Sequence, residues 1–264
     1  MLYNAKEGTI KFQDCEMDYL VFGEGTQPLV LIQGLNLSYL KGGKWTQPGR
    51  YKLYGKHFRV YIIDRRKPLF EGITVKDIAD DIAAALKVLG IKRAPVMGNS
   101  QGGMIAQYLA LNYPKLVSKL VLNVTTSGED KVLRDNVEHW MEMADEGKLN
   151  EISLEMSDKL YPPGLRPKYS KLDLYLYSKQ KTREAQDFKA LAEACLTVDT
   201  YDRLKEIKCP VMVLGGREDE VISCQAYIKL AEGLGVEPMI FEGLGHMAYE
   251  TKEYQERVLS FLME

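Results

Sequence analysis

Short apolar runs bounded by turn-forming residues recur along the chain. They are Asp18 to Phe22, Leu29 to Gln33, Arg59 to Ile63, Ala94 to Met97, Leu120 to Val124, Val211 to Leu214 and Pro238 to Phe241. Runs of this length and composition predict buried strands. The later ones are separated by segments with helical spacing: Val75 to Leu89, Gln101 to Leu111, Cys224 to Leu234 and Lys252 to Leu262. In the first of these, apolar residues at 75, 78, 79, 82, 83, 86 and 89 define one face, with Asp77, Asp80, Asp81 and Lys87 off it. Alternating strands and helices predict an α/β fold: a mostly parallel central sheet with helices on both faces. The first strands lack intervening helices, which predicts an antiparallel edge.

The alternation breaks after Val124. Asp130 to Glu146 has apolar residues at 133, 137, 140, 141 and 144, and a second short helix is expected to end at Pro162-Pro163. Strand character resumes only at Pro210. The expected organisation is therefore a core of residues 1–126 and 201–264, with 127–200 inserted as a helical lid over the carboxyl edge of the sheet. Tyr161, Tyr169, Tyr175 and Tyr177 fall in that insertion, where they either line a pocket or pack the lid helices together.

Composition narrows the function classes. The chain has 264 residues, enough for one large core, with 45% hydrophobic and 27% charged residues. A net charge of −2 gives no general attraction to nucleic acid or anionic membrane. No apolar run approaches the ~20 residues of a membrane span. Met1 to Phe12 carries no apolar signal core. The four cysteines lack metal-ligand spacing and read as reduced thiols, which predicts a cytoplasmic protein. Three histidines make a histidine-rich metal site unexpected. Between Gly25 and Ile63 there are basic residues at 41, 44, 50, 52, 56 and 59 and no acidic ones, with Arg65, Arg66 and Lys67 following. That bias marks either a positive rim at the site mouth or a solvated basic face.

The chemistry concentrates at Gly98-Asn99-Ser100-Gln101-Gly102. Gly-x-Ser-x-Gly between a strand and a helix forms a sharp turn that exposes the serine hydroxyl. Side chains at 98 and 102 would collide with the neighbouring strand and helix, which explains the glycines. A serine nucleophile needs a base, and the base needs an acid to orient it. His246 lies in a glycine-rich turn directly after Met239-Ile240-Phe241, at the carboxyl edge expected for Ser100. His57 precedes a strand and His139 lies in an expected helix, so both read as surface or packing residues. Asp219 follows Val211 to Leu214 and is the chosen acid, with Glu218 and Glu220 as neighbours and Glu129 and Asp130 as second-rank candidates. The oxyanion hole is expected from the backbone N–H groups of Gln101 and of Leu35, in the loop after Leu29 to Gln33.

The order Ser100, Asp219, His246, together with Ile63-Asp64-Arg65-Arg66, Gly216-Arg217-Glu218-Asp219 and Gly245-His246, resembles the α/β-hydrolase superfamily, in particular its serine esterases and lipases with a helical lid. The resemblance runs over residues 8 to 262. It departs at Gln33-Gly34, where many relatives have His-Gly. It implies a serine hydrolase that acts on a small-molecule ester, lactone or thioester through an acyl-enzyme, with no cofactor or metal. Acyl transfer and carbon–carbon bond hydrolysis on the same triad are the rivals, and a non-catalytic ligand-binding protein is a third. Neither substrate identity nor oligomeric state is legible in the residues.

Overall fold

The computed structural model describes residues 2–12, 14–166, 168 and 182–264. Among these, eight strands form one sheet in the order β1-β2-β4-β3-β5-β6-β7-β8. They are β1 (Lys6–Lys11), β2 (Glu16–Phe22), β3 (Pro28–Ile32), β4 (Arg59–Lys67), β5 (Ala94–Asn99), β6 (Val117–Asn123), β7 (Val211–Gly216) and β8 (Met239–Phe241). β2 runs antiparallel to β1 and β4, and every pairing from β4 through β3 to β8 is parallel. The antiparallel edge is thus confined to β1 and β2, while β3 sits inside the parallel part. β1 escaped the sequence pattern because only Ile10 of its six residues is buried. An edge strand with one inward side chain carries no apolar run.

The central strands read as continuous apolar runs because both faces are covered. In β3, Val30 and Ile32 join one core with Ile78, Ile82 and Leu86, while Leu29 and Leu31 join another with Tyr54, Tyr254 and Val258. The helices are α1 (Gln47–Arg50), α2 (Lys52–Gly55), α3 (Val75–Val88), α4 (Gln101–Asn112), α5 (Lys131–Asp145), α6 (Leu149–Lys159), α7 (Ala185–Cys195), α8 (Cys224–Leu234) and α9 (Lys252–Met263). α3, α4 and α8 cover the first face, and α9 with the short α2 covers the second. Local chemistry sets where these helices begin. Thr74 Oγ1 accepts the Asp77 N–H at 3.1 Å and Asp77 returns the bond to the Thr74 N–H at 2.9 Å, a reciprocal cap that starts α3.

α5, α6 and α7 lie between β6 and β7, in the segment expected to be helical. Their amphipathic faces bury Leu133, Val137, Trp140, Ile152, Phe188 and Leu191 in the same core that backs the sheet. Of the four tyrosines noted there, Tyr169, Tyr175 and Tyr177 lie outside the described residues.

Candidate active site

A parallel sheet delivers the ends of β3, β5, β7 and β8 to one edge, and the loops that leave them carry the chosen residues. β5 stops at Asn99 and α4 starts at Gln101, so Ser100 alone makes the turn. Its backbone sits at φ 54°, ψ −123°, a region that costs ~1–3 kcal/mol for a side-chain-bearing residue. The turn is held on both sides. Ser100 N–H donates to Asn123 O at 2.9 Å, and Thr125 Oγ1 donates to Ser100 O at 2.8 Å. A Cβ at Gly98 would lie 2.4 Å from Gly102 O, and one at Gly102 would lie 2.0 Å from Ile32 O. Both positions are closed to any side chain.

β7 leads into the loop that carries Asp219, and β8 leads to His246. His246 Nδ1 lies 2.6 Å from Asp219 Oδ2, and both side chains are buried. Asp219 is held from every side. Its Oδ1 accepts the N–H groups of Val221 at 2.7 Å and Ile222 at 3.0 Å, and its Oδ2 also accepts the Tyr227 hydroxyl. Burial, reinforced by the adjacent Asp219 carboxylate, pushes the Tyr227 hydroxyl well above its ordinary range, so it stays a proton donor. Tyr227 is eight residues beyond Asp219 and belongs to α8, so no sequence signal pointed to it.

Glu218 is exposed, and three other carboxylates are committed elsewhere. Asp130 caps α5, accepting Leu133 N–H at 2.9 Å and Ser223 Oγ at 2.5 Å. Glu129 pairs with Arg134 at 3.1 Å and Glu220 with Arg166 at 2.5 Å. His139 is exposed and pairs with Glu155 at 3.0 Å, and His57 is exposed ahead of β4.

Ser100 and His246 open onto one cavity of about 440 Å³. Gln33, Gly34, Leu35 and Asn36 form part of its wall, which brings the β3 loop beside the nucleophile. A Cβ on Gly34 would stand 3.0 Å from Ser100 Cβ. The Gln101 amide is the first N–H of α4, where no intrahelical acceptor exists. The segment between β6 and β7 contributes an apolar wall of Leu133, Val137, Trp140, Met156 and Leu160, and Tyr161 stands near its end. The facing wall is more polar, with Asn36, Ser38, Arg50, Tyr51 and Tyr249. Burial pushes the Tyr51 phenol up to about 12.

Part of the basic stretch noted in the sequence is paired with carboxylates from distant segments, while Lys41, Lys52, Lys56 and Arg59 are exposed. Arg50 meets Glu250 at 2.6 Å, Lys67 meets Asp18 at 2.7 Å, Lys44 meets Glu7 at 3.9 Å, and Arg66 pairs with Asp14 and Asp81. Arg65 is buried. Of these residues only Arg50 lines the cavity. Among the described residues, no group of three His, Cys, Asp or Glu side chains could hold a metal ion. Likewise, among the described residues no helix is long and apolar enough to cross a membrane.

Known proteins share this architecture. The family model described as the alpha/beta hydrolase fold matches residues 27–253. A protein of Rhizobium rhizogenes, provisionally named as the carbamate hydrolase RutD, is 27% identical over 89% of this chain and 92% of its own length. The 3-oxoadipate enol-lactonase 2 of Acinetobacter baylyi is 25% identical over 81% of this chain and 79% of its own. Among solved structures, the enol-lactonase from Burkholderia xenovorans LB400 superposes with a TM-score of 0.79 at 17% identity, covering 97% of this chain and 100% of that one. That last likeness concerns the fold alone. With residues 27–253 matched and the sheet order observed above, the chain belongs to the alpha/beta hydrolase fold family.

Proposed function

We propose that this protein is a serine hydrolase that cleaves a small-molecule carboxylic ester or lactone through an acyl-enzyme. One observation carries the reading: a buried His246–Asp219 pair at 2.6 Å opens onto the same cavity as Ser100, the residue in the strained turn. In this reading Ser100 Oγ attacks the substrate carbonyl carbon while His246 Nε2 takes its proton. Asp219 fixes the ring with Nδ1–H toward its carboxylate and stabilises the imidazolium that forms. The backbone N–H groups of Leu35 and Gln101 bind the oxyanion. Collapse of the tetrahedral intermediate breaks the bond between the acyl carbon and the leaving oxygen, which takes the proton from His246. Water, deprotonated by His246, then attacks the acyl carbon; the bond from that carbon to Ser100 Oγ breaks, and Oγ takes the proton back from His246.

Residues 127–200 act as the lid in this reading. The support is that Leu133, Val137, Trp140, Met156 and Leu160 all face the cavity. A cavity of about 440 Å³ with one apolar and one polar wall suits a small amphipathic acyl compound. The names of the relatives make lactones and carbamates sensible first substrates beside simple esters.

The test is a fluorophosphonate probe combined with p-nitrophenyl esters of graded length. The wild-type protein is expected to label at Ser100 and to turn over. Ser100→Ala should fold normally, fail to label and lose on the order of 10⁴–10⁶ in rate. More than a tenth of wild-type turnover in Ser100→Ala refutes the assignment.

A further inference from the structure

A second buried cluster sits at the carboxyl end of β4. Asp64, Arg65 and Arg183 are all inaccessible to solvent, at 5%, 3% and 2% exposure. Asp64 Oδ1 accepts Arg183 Nη2 at 2.5 Å and the Arg65 backbone N–H at 2.8 Å, and its Oδ2 accepts the Leu40 N–H at 2.9 Å. The Asp64 carboxylate thus pairs with the Arg183 guanidinium and meets Arg65 through its backbone N–H, and the three side chains together carry one net positive charge. Burial pulls the Arg65 guanidinium down to about 10, a shift that Asp64 opposes and Arg183 reinforces. Arg65 Nε and Arg183 Nε and Nη1 are buried with no hydrogen-bond partner among the described residues. Apolar side chains of similar volume would fill this space at lower cost, so packing alone does not account for the arginines.

What Arg65 does touch is informative. Its Nη2 donates to Gln33 O at 2.7 Å and to Gln101 Oε1 at 2.8 Å. Gln33 leads directly into Gly34-Leu35, and Gln101 directly follows Ser100. A single nitrogen therefore joins the two backbone segments that carry the oxyanion donors. The Gln101 amide nitrogen Nε2 in turn donates to Leu191 O at 2.5 Å on α7, so the side chain is held at both ends.

We propose that Arg65 is a positioning residue for the oxyanion hole: it sets the spacing of the Leu35 and Gln101 amides and places buried positive charge behind them. This rests on the hole assigned under the proposed function. Oxyanion donors act only within ~2.7–3.1 Å of the developing charge. Misplacement by ~1 Å costs on the order of 10²-fold in rate. Pinning the Gln33 carbonyl fixes the peptide plane that enters Gly34, and pinning the Gln101 side chain fixes the first turn of α4. The two anchors share one rigid, planar group.

The test compares Arg65→Met and Arg65→Lys with wild type, using a p-nitrophenyl ester and an alkyl boronic acid as transition-state analogue. Fluorophosphonate titration counts the competent sites. Arg65→Met is expected to lower kcat by about 10- to 100-fold with KM within about threefold. The boronate Ki should rise in step with the fall in kcat/KM, because only the oxyanion geometry is shared by analogue and transition state. Arg65→Lys, which keeps the charge and one bond, should recover part of both. Arg183→Met is the control for simple destabilisation: it should lower Tm yet leave the ratio of Ki to KM near wild type. Unchanged kcat and Ki in the folded Arg65 variants overturn the proposal, as does a loss that tracks Tm equally in Arg65 and Arg183 variants. Where Arg65→Met does not fold, Arg65→Lys decides. Failure of the underlying hydrolase reading looks different: the wild-type protein itself then neither labels at Ser100 nor binds the boronate.

Discussion

Replacing Asp219 by asparagine removes one charge and changes almost no volume, and the surroundings dictate which way the amide turns. Oδ1 accepts two backbone N–H groups, from Val221 and Ile222, at 2.7 and 3.0 Å. Turning the NH₂ group toward those donors forfeits both bonds and sets donor against donor. Leaving two buried N–H donors unsatisfied costs about 1–3 kcal/mol each, and with the donor–donor repulsion added that orientation is disfavoured by ~3–6 kcal/mol. The NH₂ group therefore faces His246 Nδ1, which must then accept rather than donate. The proton moves to Nε2, the nitrogen needed to receive the Ser100 proton. With each ~1.4 kcal/mol worth tenfold, the competent tautomer falls to ~10⁻²–10⁻⁴ of the population. Asp219→Asn is accordingly expected to lower kcat/KM by about 10²–10⁴ on a p-nitrophenyl ester. Tm should change little, because Tyr227 can turn its hydroxyl to Ile222 O, 3.1 Å away. Asp130→Asn should cost less than ~1 kcal/mol, because asparagine can still accept the Leu133 N–H as a helix cap, and should leave kcat/KM within about threefold. Retention of more than a tenth of wild-type kcat/KM in Asp219→Asn refutes this reasoning. So does a larger loss in Asp130→Asn.

Three further outcomes are expected. Gly102→Ala would set a Cβ 2.0 Å from Ile32 O, so α4 must shift away from β3; thermal unfolding should show a loss of ~3 kcal/mol or more, with probe labelling of Ser100 abolished. Burial pushes the Asp81 carboxyl up to about 6 in spite of Arg66, so the folded protein holds a proton that the unfolded chain releases near 4; stability from this group is present at low pH and is lost as pH rises from about 4 to about 6. Tm measured against pH should therefore show Asp81→Asn gaining on wild type across that window and holding its advantage at pH 8, whereas a constant difference between pH 4 and pH 8 contradicts the assignment. Met156 lines the apolar wall, so Met156→Ala should shift the preferred p-nitrophenyl ester toward longer acyl chains while Ser100 remains probe-reactive; an unchanged chain-length profile argues against a pocket role for this segment.

Much of this molecule was legible in one dimension because the signals are local. The α8 segment reads as Cys224 to Leu234 from spacing alone, and α4 begins at Gln101 as its turn chemistry requires. Strand–helix alternation implies parallel pairing, and parallel pairing puts the ends of β5, β7 and β8 at one edge. The choice of Ser100 and His246, and of an acid in the loop after β7, followed from that rule and the order of residue types. What stayed hidden depends on distance in space. β1 has one buried side chain, so its pairing with β2 leaves no pattern in the residues. Three adjacent carboxylates at 218 to 220 are equivalent in sequence, and only the loop's two N–H groups and the Tyr227 hydroxyl single out Asp219. The basic stretch from Lys41 to Lys67 reads as either a charged rim or a solvated face, and only folding brings Glu7, Asp14, Asp18, Asp81 and Glu250 against Lys44, Arg50, Arg66 and Lys67. Arg65 and Arg183 stand 118 positions apart in the chain, and only folding buries both beside Asp64. Periodicity and turn chemistry are written residue by residue, whereas electrostatic pairing is decided by which segments the closed fold sets face to face.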